Sequence, residues 1–129
     1  MTTIEWCVLI ACLLPPLTAL LPKLSSLKLS FKEGKYDNSN PRAWAAKLGG
    51  WQQRAMAAHL NGFEALPLFI ASVVFAQMGQ GDPSRISTLA IAFVVLRVVY
   101  VAMYLLNFGA LRTLVWTAAV ATNVALLML

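Results

Sequence analysis

Residues 86–106 read ISTLAIAFVVLRVVYVAMYLL, an unbroken apolar run with one charge, Arg97, and neither Gly nor Pro. A bilayer-spanning helix needs about 20 apolar residues, and this run meets that length. Working outward, three comparable runs occur at about 4–21, 51–77 and 113–129. Four spans and their connections use nearly all of the 129 residues. The chain is 60% apolar and only 12% charged, about half the charge fraction usual for a water-soluble domain. These features predict an all-α integral membrane protein. Its expected architecture is a single domain over 1–129, a bundle of four transmembrane helices in contact with membrane lipid.

The flanks of these runs set an expected orientation. Seven of the ten basic residues, Lys23, Lys28, Lys32, Lys35, Arg42, Lys47 and Arg54, cluster after the first span. Arg112 falls in the third connection, on the same side of a four-span chain. The positive-inside bias then makes the 23–50 loop cytoplasmic and puts both termini outside. No basic surface interleaved with aromatics points to nucleic acid as a partner. The first span has Glu5 ahead of it and the basic cluster behind it, the reverse of a cleavable signal, so it is expected to be retained. Pro15-Pro16 should kink or locally unwind it. Cys7 and Cys12, on different helix faces, read as packing residues.

In the first connection, Leu27, Leu29 and Phe31 alternate with Lys28, Ser30 and Lys32, which predicts an extended segment on the membrane surface. Asn40-Pro41 reads as a helix start. Trp6, Trp44, Trp51 and Trp116 read as interfacial anchors.

Ionisable groups in a spanning helix are costly and tend to face a partner or a wet cavity. Arg54, Asn61 and Glu64 share a face of the second span, within roughly 80° of arc at about 100° per residue. Arg97, Tyr100 and Tyr104 share a face of the third. One reading joins them with Arg112 into a polar pocket between helices, rich in positive charge, with one carboxylate. Such a pocket suits a small ligand bearing carboxylates and an amine. The other reading has Glu64 neutralise Arg54 or Arg97 so that the bundle assembles, with Asn61 bonding between helices. His59 points away from this stripe and reads as structural.

The stretch from Arg54 to Phe69, RAMAAHLNGFEALPLF, resembles the signature of the MAPEG family, the membrane-associated proteins in eicosanoid and glutathione metabolism. The preceding Asn40-Pro-Arg-Ala-Trp44 resembles bacterial members. Arg97, Tyr104 and Arg112 match the family's pattern further along the chain. The resemblance implies a homotrimer of four-helix subunits, placed in a bacterial inner membrane. It implies glutathione as co-substrate and a hydrophobic small molecule as second substrate. The implied activity is a glutathione-dependent transferase or peroxidase acting on hydrophobic electrophiles or lipid hydroperoxides. Asn61 and Glu64 then match residues that bind the peptide's polar groups, and Arg97 and Tyr104 match further contacts. Arg54 and Tyr100 complete the ligand-binding set. Arg112 matches the catalytic arginine implicated in thiol activation.

The chain also departs from the pattern. Ala57 and Leu60 stand where some members carry arginine, Tyr100 replaces a histidine of the prostaglandin-synthase branch, and Thr113 replaces its serine. The resemblance therefore does not extend to prostaglandin synthesis. The alternative function is a non-catalytic scaffold or lipid-binding subunit of the same fold.

Overall fold

A computed structural model describes residues 1–129 as five helices in the order α1 (Thr3–Ser26), α2 (Pro41–Ala46), α3 (Gly50–Met78), α4 (Pro83–Leu105) and α5 (Gly109–Leu127). All but the short α2 are long and apolar enough to cross a membrane. They form the expected all-α bundle. All four spans extend one to five residues beyond an end of their apolar runs, with side-chain caps only at the starts of α1 and α4, while α4 stops at Leu105 and α5 at Leu127, just short of the expected ends.

The α1 N-terminus is a capping box. The Glu5 N–H donates to Thr2 Oγ1 at 3.2 Å, and the Thr2 N–H donates to Glu5 Oε2 at 2.7 Å. Pro15, Pro16 and Pro22 lie inside α1, yet the helix continues through all three instead of unwinding. Packing explains part of this. Pro15 is buried against Gly62 of α3, where an added Cβ would stand 2.7 Å from Pro15 Cγ. His59 Nδ1 lies 2.8 Å from the Pro15 carbonyl. A carbonyl only accepts, so the ring donates, and His59 ties α3 to α1 beside the diproline.

The two short connections share one device. After α3, Gln80 is left-handed at φ 59°, and the Gly81 N–H donates to the Ala76 carbonyl at 2.9 Å. After α4, Asn107 is left-handed at φ 63°, and the Phe108 N–H donates to the Met103 carbonyl at 2.9 Å. Both are Schellman closures, which satisfy helix-end carbonyls and reverse the chain tightly. The second one brings α5, and Arg112 on its first turn, directly back along α4.

α1 packs chiefly on α3 and α4 on α5, with α3 also meeting α4 and α5. The apolar core draws on Ile4, Cys7 and Ala11; Phe69, Val73 and Ala76; Ile86, Ala90 and Phe93; Ala119 and Leu126. These positions recur every three or four residues, one stripe per helix. Small residues let the helices approach closely. The Phe69 and Phe93 rings stack at 4.0 Å, nearly parallel. Most of the core lies toward the end that holds both termini. Cys7 and Cys12 are free, with Cys7 buried in the core.

The first connection is not extended. Residues 27–28 and 31–34 form turns. The Ser30 N–H donates to Glu33 Oε1 at 3.0 Å and the Glu33 N–H donates to Ser30 Oγ at 3.3 Å. The Ser30 N–H, and after it the Ser30 hydroxyl, hold the Glu33 carboxyl below its ordinary range. The alternation of apolar and basic residues loses to this local closure. Trp44 is not a surface anchor either. It is buried, its Nε1–H donates to the Gly34 carbonyl at 2.9 Å, and its ring meets Tyr36 edge-on at 5.0 Å. Asn40 does precede α2, but its side chain caps nothing and instead donates to Asp37 Oδ2 at 3.3 Å.

Candidate functional site

α3 and α4 carry the polar residues on faces that meet. Arg97 is 4% exposed and donates from Nη2 to Asn61 Oδ1 at 2.9 Å. The Asn61 amide donates in turn to Glu64 Oε2 at 3.3 Å. The amide therefore stands between guanidinium and carboxylate and satisfies one group of each. Glu64 itself is exposed on the flank of the bundle. The expected direct neutralisation of an arginine by Glu64 is replaced by this relay.

Toward the end that holds the 27–49 connection, aromatics continue the polar strip. The Arg97 guanidinium lies 4.2 Å from the Tyr100 ring centroid. Tyr100 meets Tyr104 edge-on at 5.7 Å. The Arg112 guanidinium lies 4.1 Å over the Tyr104 ring. A guanidinium stacked on an aromatic face keeps its N–H edge free for an anion. The order Glu64, Asn61, Arg97, Tyr100, Tyr104, Arg112 is thus continuous in space across three helices.

Arg54 sits apart from that chain. Its Nε and Nη2 donate to the Leu105 carbonyl, at 3.4 Å and 3.1 Å, where α4 ends. A cation at a helix C-terminus meets an unpaired carbonyl and the negative end of the helix dipole, a favourable pairing. The shared face with Asn61 and Glu64 holds by helix geometry, but Arg54 is held to the α4 end, one residue past Tyr104.

A cavity of about 150 Å³ opens beside the Asn61–Arg97 pair. α3 contributes Asn61, Glu64 and Leu68, and α4 contributes Phe93 and Arg97. α5 contributes Trp116, expected as an interfacial anchor, and Asn123, for which the sequence carries no expectation. Arg97 Nη1 and Asn123 Oδ1 are buried without a hydrogen-bond partner. A buried polar atom left unpaired costs about 1–3 kcal/mol, more when charged, and both of these belong to residues that line the cavity. The signal for Asn123 was present in the sequence as an amide in an otherwise charge-free span. One polar residue without a neighbour of known depth gives no partner to pair it with.

A model described as the MAPEG family matches residues 3–129. The chain belongs to the MAPEG family. Neither the curated proteins nor the solved structures include a match to it. Membership supports a membrane-embedded function in the glutathione-related transferase and peroxidase group, or one related to it. It also agrees with four membrane-crossing helices in an integral membrane protein. No group of His, Cys, Asp and Glu side chains has metal-binding geometry.

Proposed function

We propose that this MAPEG chain is a glutathione-dependent transferase or peroxidase acting on hydrophobic electrophiles or lipid hydroperoxides. The observation that carries the reading is the unbroken polar strip from Glu64 to Arg112 inside helices otherwise built for lipid. Glutathione bears two carboxylates, one ammonium and a thiol. Arg97 offers a cationic donor to one carboxylate, and Arg54, apart from the strip, offers the other only Nη1, the nitrogen it does not spend on the Leu105 carbonyl; Glu64 offers an acceptor to the ammonium, and Asn61 does either. Tyr100 and Tyr104 wall the middle of the strip, and Arg112 lies at its far end for the sulfur.

The chemistry asked of Arg112 is modest. A free thiol has a pKa of about 8.5, and only the thiolate is nucleophilic. Lowering that value by two units takes about 2.7 kcal/mol of preference for the anion. A positioned guanidinium in a partly dry site supplies charge-assisted contact of that order. The thiol proton leaves to water. The sulfur then forms a bond to an electrophilic carbon as the leaving group departs with its electron pair. With a hydroperoxide, it attacks the terminal oxygen, the alkoxide takes a proton, and a second glutathione resolves the sulfenic acid to disulfide and water. The electrophile reaches the site sideways from the bilayer.

A tripeptide exceeds the 150 Å³ cavity, so most of it must lie against the exposed Glu64 flank. An exposed carboxylate on a membrane-crossing helix is costly against lipid. A second copy of the chain covers this flank in the proposed homotrimer. The basic 23–50 connection is placed on the cytoplasmic side, with both termini outside, in a bacterial inner membrane.

The test is glutathione binding by purified protein, read as a melting shift and as thiolate absorbance near neutral pH. Arg112→Ala should remove the thiolate signal more than it removes binding. No binding at millimolar glutathione rejects the reading. The buried Arg97–Asn61 bond favours a second reading, a non-catalytic scaffold. Under it, Arg97→Ala breaks the oligomer and glutathione leaves the melting temperature unchanged.

A further inference from the structure

α5 has one amide on its buried face. Asn123 is 2% exposed and its Oδ1 has no partner. Arg97, across the same cavity wall on α4, has the complementary defect: Nη2 is held by Asn61, while Nη1 has no partner. One missing bond needs an acceptor and the other needs a donor. Inside a bilayer, bulk water is not at hand to supply either. Around these two groups the wall is apolar, with Leu68, Phe93, Trp116 and Val120. Arg97 and Glu64 on that wall cancel in formal charge, which suits a neutral guest. At about 150 Å³ the space is many times the roughly 10–15 Å³ that one water requires.

We propose that this cavity is a subsite for the hydroxyl group of an apolar molecule of the long-chain alcohol class, and that Asn123 selects for the O–H. A hydroxyl oxygen accepts from Arg97 Nη1 while its proton goes to Asn123 Oδ1. An ether or ester only accepts, and an alkane does neither. The Asn123 amide turns about a broad, soft χ2 torsion, so it can present its oxygen to a guest at little cost. The hydrocarbon tail lies along the apolar wall toward the lipid. This subsite shares the Arg97 guanidinium with the glutathione reading but rests on Asn123, which that reading does not use, so alcohol and glutathione are each titrated in the absence of the other.

The experiment uses the full chain in phosphatidylcholine nanodiscs, whose lipid carries no hydroxyl. The probes are 1-decanol and decyl methyl ether, each corrected for partitioning into the bilayer. Binding is read from Trp116 emission, as the difference between the natural chain and Trp116→Phe. The expected result is decanol binding at least ten-fold tighter than the ether, with the ratio falling near one in Asn123→Leu. Equal binding of the two probes by the natural chain overturns the proposal. So does binding of neither, the outcome if the cavity holds water only. Should Asn123→Leu fail to fold, the alcohol-to-ether ratio of the natural chain still decides. Glutathione is titrated in the same nanodiscs. Loss of alcohol selectivity with glutathione binding intact rejects the subsite alone, and the converse rejects the thiol reading alone.

Discussion

The two ends of the bundle solve different problems with the same helices. At the end holding both termini, Ile4, Cys7, Val73, Ala76, Ile86 and Leu126 close into a dry core. At the other end, α3, α4 and α5 present Asn61, Arg97, Tyr100, Tyr104 and Arg112 to one another. Phe93 belongs to both, stacking on Phe69 on one side and lining the cavity on the other. Lipid gives no hydrophobic reward for helix association, so the dry end relies on shape and close packing. The polar end carries the exposed Glu64 and the unpartnered Arg97 Nη1, which packing alone would eliminate, and only Asn123 carries such a defect toward the terminal end. Stability and site are therefore expected to separate along the bundle axis.

Substitutions can break or sharpen that separation. The largest effect should come from Phe69→Ala, which empties a fully buried ring from the dry end. It should cost about 3–5 kcal/mol in detergent unfolding. A melting temperature that does not move would show that the two ends are not energetically distinct.

Next is Arg112→Ala at the polar end. Its expected effect is up to about 2.7 kcal/mol on the bound thiol, seen as thiolate loss, with little change in melting. An equal loss of thermal stability would make Arg112 a structural residue.

Gly62→Ala probes the boundary, because its Cβ would stand 2.7 Å from Pro15 Cγ. Overpacking of this kind typically costs about 1–3 kcal/mol, measured by the same unfolding assay. A harmless substitution would show that α1 slides freely on α3.

Trp44→Phe removes the bond to the Gly34 carbonyl and should cost about 0.5–1.5 kcal/mol, with faster proteolysis of the 27–40 segment as the readout.

The smallest effect concerns pH. Glu33 has a depressed folded value, so its contribution is present above the unfolded value of about 4.3 and fades as pH falls through the lower folded value. Protease sensitivity of the same segment should rise on acidification and lose that pH dependence in Glu33→Gln.

Much of this was legible from residue order. Four apolar runs dictate four spans because an unpaired peptide group cannot face lipid, so helices are the only local solution. The polar residues Asn61, Glu64, Arg97, Tyr100 and Tyr104 were visible because ionisable and amide groups stand out against apolar neighbours. Helical periodicity put Asn61 with Glu64 and Arg97 with Tyr100 before any fold was known. Wherever two helices had to be placed together, residue order fell short. It could not set Arg54 on the Leu105 carbonyl, Asn61 between Arg97 and Glu64, or Trp44 beneath Gly34. Nor could it seat Trp116 and Asn123 on the cavity wall.

The sequence by itself determined the number of spans, their helical character and the set of polar groups committed to the membrane, because each follows from local hydrophobicity and backbone hydrogen bonding. Only the tertiary structure decided which of those groups touch, which keep an unmatched donor or acceptor, and where a cavity opens. Those outcomes depend on the rotation and offset of whole helices, which close-packed side chains such as Gly62 on Pro15 and Phe69 on Phe93 set together.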